Sequence, residues 1–116
     1  MKSLLWVGSS KRDLLDMPED VQAVFGFALH VAQEGGKHPQ AKPLRGFSGA
    51  GVLEIVEDFD GDAYRAVYTV RLGSAVYALH CFQKKSTKGI ETTKHDVELI
   101  RSRLRDAEDH AKGKIK

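Results

Sequence analysis

The most regular hydrophobic pattern lies between positions 63 and 84, where apolar and polar residues alternate on either side of Gly73-Ser74. Side chains of a strand point alternately to opposite faces, so this alternation predicts two antiparallel strands joined by a tight turn. The turn sets which residues lie opposite one another. The expected pairs are Leu72 with Ala75, Val70 with Tyr77, Tyr68 with Leu79, and Arg65 with Phe82.

That pairing divides the two strands into a core face and a polar face. The core face is expected to carry Tyr64, Ala66, Tyr68, Val70, Leu72, Ala75, Tyr77, Leu79 and Cys81. The polar face is expected to carry Arg65, Val67, Thr69, Arg71, Val76, Ala78, His80, Phe82 and Lys84. A stable sheet does not require arginine, histidine and lysine together on one face, so we predict that the polar face has a function.

The first third of the chain predicts one strand followed by two helices. An apolar run at positions 4–7, bounded by glycine, indicates a short strand. Ser10, with Asp13 three positions later, resembles a capping box that opens a short helix. Pro18 suits the first turn of a second helix, whose apolar residues recur at helical spacing until Gly35-Gly36.

The rest of the chain predicts a connector, a meander of strands and a last helix. Residues 37–50 contain several Pro and Gly and are expected to form the connector. The strands are expected at 52–57, 63–72 and 75–84. Thr93, with Asp96 three positions later, is expected to cap a helix from about Lys94 to Ala111. The expected buried stripe of that helix is Val97, Ile100, Leu104 and Ala107.

This order of elements predicts an α+β fold in a single domain over residues 1–116. We expect a small antiparallel sheet with two N-terminal helices packed on one face and a C-terminal helix. The two early helices are expected to cover the core face. That leaves the polar face of Arg65, His80 and Lys84 open to solvent.

The composition, with 41% hydrophobic and 29% charged residues, is ordinary for a soluble globular domain of 116 residues. No apolar run approaches the roughly 20 residues of a membrane-spanning helix. No secretory segment precedes Lys11 and Arg12. Cys81 is the single cysteine, which excludes an intramolecular disulfide and fits a reducing compartment. We therefore expect a cytoplasmic protein that does not associate with membranes.

The net charge of +2 is small, but the charges are unevenly distributed along the chain. Residues 37–45 contain three cations and no acid, and residues 84–88 contain three lysines and no acid. Basic loops beside a polar sheet face suggest a polyanionic partner. Solvated loops that protect a sheet edge would have the same composition, so this alternative stays open.

The sequence contains no motif for a metal, a cofactor or a dedicated nucleophile. The five histidines have no paired spacing, and the cysteine is isolated. Neither a glycine-rich phosphate loop nor a Gly-x-Ser-x-Gly elbow occurs. We therefore predict that the protein uses no metal and no cofactor.

Metal-free cleavage of RNA fits the residues of the polar face. The reaction needs a base for the ribose 2′-OH, cations that stabilise the phosphorane and an acid for the leaving 5′-oxygen. Arg65 and Lys84 are the candidate cations, and His80 is the residue of that face whose side-chain type has an unperturbed pKa near neutrality. Phe82 offers a flat surface on which an unstacked base can lie.

Each of these residues also has a structural interpretation. Arg65 can form an ion pair with Glu54 across two strands. His80 can be a hydrogen-bonded sheet residue, and Phe82 can cover the sheet beneath the last helix. Lys84 can be a plain charge at a strand end.

Five short motifs follow one another along the chain. They are Lys42-Pro-Leu-Arg45-Gly46, Gly51-Val-Leu-Glu54, Tyr64-Arg65-Ala-Val-Tyr68, Leu79-His80-Cys-Phe82, and Lys84-Lys85-Ser-Thr-Lys88 leading to Thr92-Thr93 and a helix. In order and spacing, this set resembles the RelE/HigB superfamily of toxins from type II toxin–antitoxin systems, in particular its phage-derived HigB-like branch. The resemblance covers nearly the whole chain.

The resemblance implies a RelE-like fold and a ribosome-dependent endoribonuclease that cleaves mRNA and is neutralised by a helix-turn-helix antitoxin. It matches Arg65 to the family's strand arginine, Lys84 to its strand-end cation and Arg45 to the basic residue before the sheet. The catalytic candidates are Arg65, His80 and Lys84. The candidate RNA-binding residues are Lys42, Arg45, Phe82, Lys85 and Lys88.

Two positions depart from the family pattern. Val56 stands two residues after Glu54, where many relatives carry arginine, and its presence removes a cation. Thr92-Thr93 stands where relatives read Thr-Pro, which affects only the helix start. Two alternatives to the endoribonuclease therefore stay open. One is a non-enzymatic toxin that binds DNA gyrase, as ParE relatives do, and the other is an inactive member that only binds a partner.

Overall fold

A five-stranded mixed sheet forms the centre of the computed structural model, which describes residues 1–47, 49, 51–84 (for Lys84, the backbone only) and 93–113. The elements are β1 (Ser3–Trp6), α1 (Ser10–Leu15), α2 (Glu19–Gln33), β2 (Lys42–Pro43), β3 (Val52–Phe59), β4 (Asp62–Leu72), β5 (Ala75–Lys84) and α3 (Lys94–Ala111). The strands lie in the order β1-β5-β4-β3-β2. The predicted α+β fold, with two N-terminal helices and a C-terminal helix, is confirmed.

Two short strands extend the predicted meander. β1 runs parallel to β5, with Ser3 opposite Ala75, so the sheet is mixed and not wholly antiparallel. β2 lies within the expected connector and pairs antiparallel with β3, where Lys42 lies opposite Glu54. The connector therefore places a lysine directly on the edge of the sheet.

Helices cover both faces of the sheet. α1 and α2 pack on one face, where Phe25 and Leu29 contribute to a core with the sheet residues Ile55 and Tyr68. α3 packs on the opposite face over a second core. Its buried members are Leu44, Phe47, Val52, Val67, Ala75, Tyr77, Leu79, Ile100, Leu104 and Ala107.

The expectation that the polar face would be open to solvent is wrong. Arg65 and His80 are each only 6% exposed. The reason is that the apolar stripe of α3 needs a surface on which to be buried, and the two early helices already occupy the other face.

The pairing of β4 with β5 shifts by one residue and then shifts back. The pairs at both ends are as predicted, namely Leu72 with Ala75 and Arg65 with Phe82. The two predicted pairs between them are wrong, because the observed pairs are Tyr68 with Ala78 and Thr69 with Tyr77. Since His80 pairs with Val67, Leu79 is an extra residue that forms a β-bulge on β5.

The bulge changes the faces of several β5 residues. Tyr77 and Leu79, predicted for the face beneath α1 and α2, pack in the core under α3. Val76, predicted for the polar face, packs in the core under α2. Cys81 lies in the α2 core as predicted. A slip of one residue reverses every side chain beyond it, and sequence alternation alone does not show where such a slip occurs.

The start of α1 differs from the prediction by one residue. Ser9, not Ser10, is the N-cap residue, and its hydroxyl donates a hydrogen bond of 2.7 Å to a carboxylate oxygen of Asp13. Ser10 is fully buried, and its hydroxyl donates to the carbonyl oxygen of Ala78 at 3.1 Å. Ser10 therefore fastens α1 to the bulged strand β5 and does not cap the helix.

The predicted start and length of α3 are confirmed. The Thr93 hydroxyl oxygen accepts a hydrogen bond from the backbone N–H of Asp96 at 3.2 Å. The predicted stripe is buried at Ile100, Leu104 and Ala107 and partly buried at Val97. None of the helices in the described part of the chain combines the length and the apolar character that a membrane crossing requires.

Candidate nucleic-acid interface

Glu54 lies between two cations on the α3 side of the sheet. Its Oε2 atom is 3.1 Å from Nη1 of Arg65, and its Oε1 atom is 3.7 Å from Nζ of Lys42. Arg65 pairs with Val56 and Glu54 with Val67, so Glu54 and Arg65 sit on a diagonal of the β3–β4 ladder. The cross-strand ion pair, which was the structural interpretation of Arg65, is therefore confirmed.

The two cations of this cluster differ in their access to solvent. The side chains of Glu54 and Arg65 are 8% and 7% exposed, whereas that of Lys42 is 63% exposed. Val56 lies directly opposite Arg65, so the residue that faces this arginine across the strand pair is uncharged. In this chain, Lys42 is the member of the cluster that an incoming phosphate can reach.

His80 lies at the centre of a polar network that joins β5, α3 and α1. Its Nε2 atom is 2.9 Å from Oδ1 of Asp96, and its Nδ1 atom is 3.5 Å from Nη1 of Arg103. Arg103 also donates hydrogen bonds to the carbonyl oxygen of Leu79 at 2.9 Å and to the hydroxyl of Ser9 at 3.1 Å. The network therefore holds the bulge, the start of α1 and the first half of α3 together.

The geometry sets the protonation state of His80. A guanidinium can only donate, so Nδ1 accepts from Arg103 and Nε2–H donates to Asp96. Burial lowers the pKa of His80, and the hydrogen bond to Asp96 offsets only part of that effect. The imidazole is therefore neutral at pH 7, and both of its nitrogens have protein partners.

Phe82 stacks on His80, with the ring centroids 4.3 Å apart and the ring planes 16° from parallel. Phe82 is partly buried and packs against the core under α3. The interpretation that Phe82 covers the sheet near the last helix is thus observed, while its stacking on a base stays a prediction.

Carboxylates line the cavity next to this stacked pair. The cavity has a volume of about 340 Å³ and is bordered by His80 and Phe82 on one side and by Asp13 and Asp16 on the other. A polyanion is repelled by such a lining.

The basic connector and α3 contact each other. Arg101 lies over the ring of Phe47, with 4.6 Å between its Cζ atom and the ring centroid. Its Nη2 atom donates to the carbonyl oxygen of Gly46 at 3.4 Å. Lys42 and Arg45 are exposed, while Leu44 and Phe47 are buried beneath the helix. The connector thus holds its cations outward by burying its apolar residues.

A sequence profile of the phage-derived Gp49-like proteins (DUF891) matches residues 12–105 of the chain. The chain belongs to this family. Searches of curated proteins and of solved structures gave no match. The matched range begins in α1 and ends in α3, so it includes the Glu54 cluster, the His80 network and the connector.

The Gp49-like fold brings together some of the predicted site residues and leaves others apart. Lys42 and Arg65 meet at Glu54, and His80 stacks on Phe82 one strand away. Arg45 is exposed on the connector. The backbone of Lys84 pairs with Ala63, while its side chain lies outside the described part of the structure. Lys85, Lys88 and Thr92 lie outside the described residues.

Sequence analysis missed the contributions of α3 to this surface. Arg101 and Arg103 point to different partners, the connector and the His80 network. The signal was present in the spacing, because Arg101 falls one helical turn after Val97, a member of the predicted buried stripe. What the spacing did not show is that the connector lies beneath that turn.

Proposed function

We propose that this Gp49-like protein is the toxin of a type II toxin–antitoxin system and a metal-independent, ribosome-dependent endoribonuclease that cleaves mRNA in the cytoplasm. A helix-turn-helix antitoxin neutralises it. The association of the family with toxin–antitoxin-like modules supports the toxin. The observation that carries the nuclease is the Glu54 cluster, in which a carboxylate and two cations meet beside an exposed basic connector.

The cluster suggests a division of roles in RNA cleavage. A base must take the proton of the 2′-OH while that oxygen attacks the phosphorus, and the 5′-oxygen leaves as it takes a proton from an acid or from water. Glu54 is suited to accept the proton, because each of its carboxylate oxygens has a lone pair beyond the one that faces its cation, whereas the unprotonated nitrogen of His80 faces Arg103. Buried Arg65 holds the carboxylate in place, and exposed Lys42 can exchange Glu54 for the phosphate, whose charge it would stabilise.

Induced expression in a bacterial host tests the proposal. We expect growth to stop and translation to fall before DNA synthesis, with new mRNA 5′ ends appearing at ribosome-occupied positions. Glu54→Gln and Lys42→Met should each reduce the number of new ends. Lys11→Met, at an exposed position of α1, serves as a matched control and should cleave as the wild type does. Early failure of DNA synthesis with unchanged mRNA ends would instead support a gyrase-binding toxin.

A second candidate function is an inactive, partner-binding member of the family. The observations that favour it are the neutralised, buried Arg65 and the valine at position 56, which leave Lys42 as the accessible cation of the cluster. This alternative predicts a stable complex with the antitoxin but neither growth arrest nor new mRNA ends. Expression of the chain alone, and together with a candidate helix-turn-helix antitoxin, separates the two functions.

A further inference from the structure

The contact between Arg101 and the connector places three exposed cations along one strip. Lys42 stands at the sheet edge, Arg45 lies three residues later on the connector, and Arg101 reaches the connector from α3. Arg101 touches Gly46 and Phe47, and Lys42, which touches Glu54, lies on the same connector a few residues earlier. The strip therefore leads from α3 to the Glu54 cluster.

Arg101 and Arg45 are not neutralised. Among the described residues, no carboxylate lies within ion-pair distance of either guanidinium, although Glu98 stands one turn before Arg101 on the exposed side of α3. By comparison, the guanidinium of Arg103 on the same helix is hydrogen-bonded within the His80 network. Arg101 thus keeps its charge available to a ligand.

The surroundings of Arg101 also fix its orientation. The Cζ atom of its guanidinium lies over the ring of Phe47, and one nitrogen donates a hydrogen bond to the Gly46 carbonyl. A guanidinium presents several N–H donors in one plane, and that fork matches the oxygens of a phosphate. Because the side chain is already ordered, less conformational entropy is lost when it binds.

We propose that Arg101, supported by Phe47 and together with the exposed Arg45, binds the RNA phosphodiester backbone next to the Glu54 cluster. This inference rests on the proposed function and adds to it the helix residue that positions the substrate strand. The strip directs the backbone along the connector towards Lys42, away from the acidic cavity beside His80.

The test measures binding of a short fluorescein-labelled single-stranded RNA by anisotropy, at salt concentrations from about 50 to about 200 mM. Arg101→Met keeps an unbranched side chain over Phe47 but removes the charge. We expect several-fold weaker binding and a log–log salt slope that is smaller by about 0.7, the value for one lost contact to a single strand. Arg12→Met, an exposed arginine on α1, is the matched control and should leave the slope unchanged.

The melting temperature of each variant separates binding from structure. If Arg101 only fastens the connector, Arg101→Met lowers the melting temperature and leaves the salt slope at the wild-type value, which would overturn the inference. Phe47→Leu should weaken binding with Arg101 still charged, because the guanidinium loses its support. If the wild type binds RNA and Arg101→Met binds it equally well, the role of Arg101 is refuted while the proposed function is not. If the wild type also neither binds RNA nor generates new mRNA ends, the proposed function fails as well.

Discussion

Because Arg65 forms a buried ion pair with Glu54, we expect a substitution of Arg65 to lower the stability of the fold, whatever its effect on catalysis. Arg65→Met removes one partner and leaves the Glu54 carboxylate at a position where its side chain is 8% exposed. Breaking a buried pair in this way costs about 3–5 kcal/mol. Lys42, at 3.7 Å, still faces the carboxylate, so we expect the lower end of that range. For a domain of this size, about 3 kcal/mol corresponds to a fall in melting temperature on the order of 12 °C.

Lys42→Met provides the matched control, because it removes a cation from the same carboxylate at an exposed position. An exposed ion pair contributes about 0–1 kcal/mol, so its melting temperature should stay within a few degrees of the wild-type value. The double variant Glu54→Met/Arg65→Met should lose less stability than the two single variants together, since neither charge is then left unpaired. Thermal unfolding followed by circular dichroism gives all four values.

Equal melting temperatures for Arg65→Met and Lys42→Met would refute the burial argument. So would strict additivity of Glu54→Met and Arg65→Met. If the expected difference is observed, loss of toxicity in an Arg65 variant cannot by itself be assigned to catalysis. Lys42 then becomes the more informative position at which to test the chemistry.

Three further predictions concern the framework around the site. Burial lowers the pKa of His80 in the folded state, because the charged imidazolium is disfavoured there. The free energy of unfolding should therefore fall as the pH drops below about 6.5, the ordinary pKa of histidine. His80→Gln should flatten this pH dependence in thermal unfolding. Gly8 has a φ of +58°, and the Cβ atom of a Gly8→Ala variant would lie 2.8 Å from Nε of Arg103. In Gly35→Ala the Cβ atom meets nothing within 4 Å, so that variant carries only the conformational cost of about 1–2 kcal/mol. Gly8→Ala should therefore lower the urea midpoint of unfolding more than Gly35→Ala does. The Tyr68 hydroxyl is buried without a hydrogen-bond partner among the described residues, and burial raises its pKa to about 12; Tyr68→Phe should therefore leave the melting temperature unchanged or raise it, and a clear fall would contradict the description of that site.

Most of the fold follows from periodicity. Helices α2 and α3 and the hairpin of β4 and β5 carry long, regular patterns, and such patterns report directly on which face of an element is buried. The bulge at Leu79 could not be read in the same way. One extra residue leaves the alternation intact on both sides of it, and the reversal of faces is visible only when the partner strand is known.

The candidate site was less predictable than the fold, because its properties depend on which elements cover it. The sequence placed Glu54 and Arg65 on one face and allowed their pairing, and the structure bears this out. It did not place α3 over that face. The pattern therefore could not predict the burial of Arg65 and His80 or the contact of Arg101 with Phe47. Tertiary packing decides these features, and no local pattern encodes it.

The parallel pairing of β1 with β5 has a consequence for the synthesis of the protein. Ser3 pairs with Ala75 and Trp6 with Ala78, so β1 leaves the ribosome well before its partner residues are synthesised. Contacts between such distant segments form late and slow folding. The growing chain therefore cannot close its sheet until β5 has emerged, and a product that ends before residue 75 has no strand with which β1 can pair. Completion of the sheet is thus tied to translation through β5.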